Sequence, residues 1–139
     1  MPGHAPGLTA LIEKKHQLVF VGDAVLPQFQ MLFGKTSSIQ EDISQIYCSI
    51  KKLHEVTKDM ENLQIFISGR GKFLGREFLL EKLKEIDTLY EKTHNLKNNG
   101  LVDSEILNEI FGGEGFTGEI TQRELSRLNL ISSLLKWEK

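Results

Sequence analysis

The chain has 139 residues but only one cysteine, Cys48, three prolines and one tryptophan. A lone cysteine excludes an internal disulfide and any metal site built from several thiolates. It also makes a reducing, cytoplasmic setting the expectation, with Cys48 itself a partly buried thiol on a helix. The formal net charge of -2 lacks the excess that would draw the whole molecule to nucleic acid or acidic lipid, so such binding would need a local patch. Long apolar runs are missing as well. The most apolar stretch, Leu18 to Phe33, is interrupted by Gly22, Asp23 and Pro27, and nothing resembles a basic leader followed by an apolar core. No membrane insertion is expected.

Catalytic signatures are equally sparse. Gly34, Lys35 and Thr36 reproduce the end of a phosphate-binding loop, but Phe29 stands where that motif requires its first glycine. His4, His16, His54 and His94 lack metal-ligand spacing, so no metal is expected. Glu77, Glu81 and Glu85 fall on successive turns of one helix among lysines, the pattern of a solvated face rather than of an acid–base pair in a cleft. Cys48 and His54 sit on different sides of neighbouring turns and lack a third partner. No catalytic residue and no cofactor are assigned, and an enzyme would need a site assembled from distant residues.

What the sequence does contain is helical periodicity. Ile39, Ile43, Ile46, Ile50, Leu53, Val56, Met60, Leu63 and Ile67 recur in steps of three or four, which predicts one amphipathic helix from Ser38 through Ile67. Its length is roughly 45 Å at the usual rise per residue. Ser37 with Gln40, or Ser38 with Glu41, fits an N-terminal capping box. The three-three run through Ile50, Leu53 and Val56 shifts the stripe, which favours an irregular bundle over a regular coiled coil.

A second helix is predicted from Arg76 to Lys97 through Leu79, Leu83, Ile86 and Tyr90, stopping at Gly100. A short helix beginning near Asp103 or Ser104 and a final one opening on a Thr121–Glu124 capping box follow, with the glycine-rich segment from Gly112 to Glu119 read as an exposed loop. Leu8 to Phe20 reads as a short helix, although its apolar run at 18–21 also fits a strand, as does 63–67. Val25 to Phe33 reads as another short helix limited by Pro27. The expected fold is an all-α, irregular small bundle built around a long helical hairpin, with residues 1–7 a flexible tail and 8–139 a single helical interaction domain.

Two surfaces emerge as candidates for binding. The first is the stretch from Ile67 to Phe78, where Arg70, Lys72 and Arg76 could contact an anion and Phe73 a partner. A nucleic-acid backbone or a phosphorylated or acidic partner fits that patch. The second is apolar and comprises Phe20, Leu26, Phe29, Phe33, Phe116 and Trp137. The leading expectation is a helical interaction or adaptor subunit that buries an apolar helix surface against a protein partner or a second copy of itself.

Overall fold

A computed structural model describes residues 1–34, 40–67 and 72–139. In chain order its elements begin with β1 (Leu11–Glu13), β2 (Leu18–Phe20), β3 (Leu32–Phe33), α1 (Ile43–Val56), β4 (Gln64–Ile67) and β5 (Lys72–Leu74). They continue with α2 (Glu77–Asn98), α3 (Asp103–Phe111), α4 (Gly115–Ile120), β6 (Leu125–Ser126) and α5 (Arg127–Lys136). One sheet has the order β1-β2-β4-β5, and a second consists of β3 paired antiparallel with β6. β2 and β4 are parallel, a pairing that needs a long crossover such as the one α1 supplies, while the outer pairs are antiparallel hairpins.

The chain is thus a mixed fold, mostly helical with two small sheets, and the all-α expectation is wrong. The helix predicted over 38–67 ends at Val56, where the Thr57 hydroxyl donates to the Leu53 carbonyl at 2.7 Å. Leu63 and Ile67 are four residues apart, a spacing that fits both a helix and alternate positions of a strand. Burial separates the two: Leu63, Ile65 and Ile67 are buried while Gln64 between them is exposed. Pairing of Val19 with Ile65, both fully buried, supplies the partner that makes a strand the better state. The predicted helical hairpin is therefore broken by a β-hairpin, although α1 and α2 still pack together.

Other boundaries move for similar reasons. Leu8 to Phe20 contains a β-hairpin whose turn includes Gln17 in the left-handed region at φ 56°, not a helix. Val25 to Phe33 holds no helix: Phe29 N donates to Glu85 Oε1 at 2.8 Å and Lys82 Nζ donates to the Pro27 carbonyl, so α2 satisfies the backbone instead. Ser37 and Ser38 lie outside the described residues, and the cap of α1 is Asp42, whose Oδ1 accepts from Ser44 N at 2.8 Å. Ser126 rather than Thr121 caps α5, accepting from Asn129 N at 3.0 Å. Part of the expected glycine-rich loop is α4. Cys48 is exposed, because α1 buries Ile43, Ile46, Ser49, Ile50 and Leu53 and turns Cys48 away from that stripe.

A single apolar cluster gathers Val19, Ile65 and Ile67 from the sheet, Ile43, Ile46 and Ile50 from α1, Leu79 and Ile86 from α2, and Leu130 and Leu134 from α5. Phe29 and Leu32 join it, so the apolar stretch from Leu18 to Phe33 is largely consumed by the chain's own core. Of residues 1–7, expected as a flexible tail, Pro2, Gly3 and His4 contact α1 or the two residues before it. Gly3 O accepts from Asp42 N at 2.9 Å, Pro2 O accepts from Ser49 Oγ at 2.7 Å, and the His4 ring meets buried Glu41. Gly3 approaches so closely that a Cβ there would strike the backbone of Ile46.

Candidate functional site

The basic stretch that joins β4 to α2 divides into three parts. Arg70 lies outside the described residues, and Lys72 and Phe73 stand on the edge strand β5. Arg76 is turned inward: its guanidinium donates to the carbonyls of His54, at 2.7 Å, and Thr57. Those carbonyls lie at the last turn and cap of α1, where the helix end carries partial negative charge, and the Thr57 carbonyl also accepts from Met60 N at 3.0 Å. Arg76 thus closes the end of α1. Burial and the nearby Arg76 charge both push the His54 imidazole below its ordinary pKa.

The apolar candidates separate by burial. Phe29 is 2% exposed and belongs to the core. Phe20 and Leu26 are half-buried, and the Phe20 ring lies against Phe66 with centroids 5.6 Å apart. Phe33 and Trp137 line a cleft of about 830 Å3 between the start of α1 and α5. Polar groups on its walls are engaged within the fold: Ser133 Oγ accepts from Ile43 N at 3.0 Å and Asn129 Nδ2 donates to Leu32 O at 3.0 Å. Phe116 stands apart at 75% exposed.

The local structure explains how Phe116 stays outside. Gly112, Gly113 and Gly115 all have positive φ, so the chain turns sharply between α3 and α4. Glu114 then reaches across to α5, its carboxylate accepting from Arg127 N at 2.6 Å. In return Arg127 Nη1 donates to the carbonyls of Phe111, at 3.1 Å, and Gly113, at 2.9 Å. At the far end Arg123 N donates to Gly118 O at 2.8 Å, and Thr121 Oγ1 donates to Thr117 O at 2.8 Å. Short as it is, α4 is tied to its neighbours at both ends. Phe116 and Ile120 are four residues apart, hence on one helical face, and Ile120 is 62% exposed. Exposed Glu119 and Arg123 place one charge of each sign nearby in the chain.

Sequence reading singled out Phe116 but missed Ile120, because a glycine-rich segment gave no reason to place the two on one helical face. It also missed the grouping of Tyr47, Tyr90 and Trp137. Trp137 packs at a centroid distance of 5.0 Å from each tyrosine, and Tyr90 also lies against His94 at 4.2 Å. His94 Nε2 is 3.0 Å from Leu134 O, which ties α2 to α5 beneath this group. Among the described residues no three His, Cys, Asp or Glu side chains are grouped closely enough to hold a metal ion, and no helix is long and apolar enough to cross a membrane. No known protein family, curated protein or solved structure matches the chain.

Proposed function

We propose that the chain is a protein-interaction subunit that docks through the α4 face presenting Phe116 and Ile120. The observation carrying this reading is the exposure of these two large apolar side chains, 75% and 62%, one turn apart on a helix held at both ends. Apolar side chains pre-positioned in this way lose little conformational freedom on association, so their burial contributes more fully to affinity. A partner protein with an apolar groove is the complement, and Glu119 and Arg123 bias its orientation. The alternative reading, an anion contact through the basic stretch, is less favoured because Arg76 is engaged with the end of α1.

The test compares the chain with Phe116→Ala and Ile120→Ala in affinity capture followed by native mass measurement. Truncation of an interface anchor typically costs about 2 kcal/mol, so each variant should bind about thirtyfold more weakly. Thermal stability should be unchanged, because neither side chain contributes to the core. A second copy as partner would appear as a homodimer that both variants dissociate. Capture of the same complex at equal affinity by the chain and both variants would overturn the reading, as would absence of any complex at working concentration.

A further inference from the structure

A second feature lies on a different surface, where α1, α2 and the segment after α5 meet. Tyr47 comes from α1, Tyr90 from α2 and Trp137 from the residue capping α5, and the rings are mutually inclined, by 54° for Tyr47 and Trp137 and 68° for Tyr90 and Trp137. Lys139 Nζ sits among all three, 5.0 Å from the Tyr47 centroid and 5.1 Å from those of Tyr90 and Trp137. The same ammonium is paired with the Asp87 carboxylate, and Tyr47 Oη donates to Asp87 Oδ2 at 3.4 Å. An ammonium within about 6 Å of an aromatic face is attracted by the negative potential of the ring, and three faces plus a carboxylate form a cage matched to a cation.

We propose that Tyr47, Tyr90, Trp137 and Asp87 form a recognition cage for a lysine-type ammonium on another polypeptide, and that Lys139 is its internal occupant. The cage is accessible: the side chains of Lys139 and Asp87 are 35% and 36% exposed, so the occupant can leave without unfolding the core. Lys139 lies beyond the end of α5, where the chain has no helical hydrogen bonds to break when it swings away. Asp87 sets the selectivity. A carboxylate accepts a hydrogen bond only from an ammonium that keeps an N–H, whereas methyl groups improve contact with the rings. The preferred ligand therefore carries both features, as mono- or dimethyl-lysine does, while a quaternary ammonium forfeits the Asp87 bond. The charge on the Lys139 ammonium is opposed by burial but upheld by Asp87, which leaves its pKa above the ordinary lysine value.

The single tryptophan, Trp137, is a built-in fluorescence reporter. Lys139→Ala is titrated with Nα-acetyl-lysine amide in its unmodified, dimethyl and trimethyl forms and with choline, at constant ionic strength. Saturable quenching is expected, with dimethyl-lysine bound most tightly and the intact chain at least about tenfold weaker because a tethered competitor occupies the cage. Adding Tyr90→Ala should abolish the response, and adding Asp87→Asn should erase the preference for dimethyl over trimethyl. Lys139→Gln serves if the alanine variant loses its helical circular dichroism. The proposal is overturned by a folded Lys139 variant that shows no saturable response, by equal affinity of the intact chain, or by choline binding more tightly than dimethyl-lysine. Since Phe116 and Ile120 take no part, this test is independent of the α4 docking test.

Discussion

Replacing Arg76 with alanine should destabilise the fold, and the size of the effect follows from what its guanidinium touches. It donates to the His54 carbonyl at 2.7 Å and to the Thr57 carbonyl, and Thr57 is itself fully buried. A charge-assisted hydrogen bond contributes about 1.5 to 3 kcal/mol when desolvated, and a cation at a helix C-terminus adds about 0.3 to 1 kcal/mol. Arg76 is only half-buried, so water replaces part of each interaction and the sum must be discounted. A net loss of about 2 kcal/mol remains. For a chain of this length that corresponds to a melting temperature lower by about 7 °C. Arg76→Lys should recover about half, because an ammonium keeps the charge but cannot span two carbonyls with one planar fork. The assay is urea unfolding followed by far-ultraviolet circular dichroism for the chain and both variants. Loss of less than about 0.5 kcal/mol in Arg76→Ala would refute the capping role and restore Arg76 as a residue free to contact a ligand.

Acid should weaken the start of α1 through Asp42. Burial opposes ionisation of its carboxyl, but hydrogen bonds from the Ser44 side chain and the Gln45 and Ser44 amides prevail, so its pKa lies below the ordinary aspartate value. The stability from that lowering is fully present above the unfolded-state pKa and disappears as pH falls through the folded-state value. Asp42→Asn should therefore show a shallower loss of stability between about pH 5 and about pH 2, read from unfolding midpoints. Gly118→Ala should disturb α5 indirectly, since a Cβ at this position collides with the side chain of Glu114, whose carboxylate accepts from Arg127 N at the start of that helix. A loss of about 1 to 2 kcal/mol is expected, and the double variant with Glu114→Ala should fall well short of additivity; simple addition of the two losses would contradict the shared mechanism.

Much of the helical content was legible because α1 and α2 each bury one stripe, and a stripe is written directly in residue spacing. Strands of two to four residues leave a much fainter record. β3 and β6 pair Leu32 with Ser126 across most of the chain, and neither dipeptide carries a periodic signal. The overextended helix shows the same limit from the other side: Leu63 and Ile67 satisfy two periods at once, and only pairing with β2 chooses between them. Arg76 and Lys72 look equivalent in sequence, yet the carbonyls that engage Arg76 become visible only when α1 ends where it does.

The sequence by itself determined that α1 and α2 exist, where α2 stops near Gly100, and that the chain lacks the spacing of common metal and nucleotide motifs. Local spacing suffices for these because each depends on residues a few positions apart. Tertiary structure alone decided which of two phenylalanines is core and which is surface: Phe29 is 2% exposed and Phe116 is 75% exposed. It alone brought Tyr47, Tyr90 and Trp137 around one ammonium. Both outcomes depend on how elements distant in the chain pack together, and residue spacing within any one element carries no record of that packing.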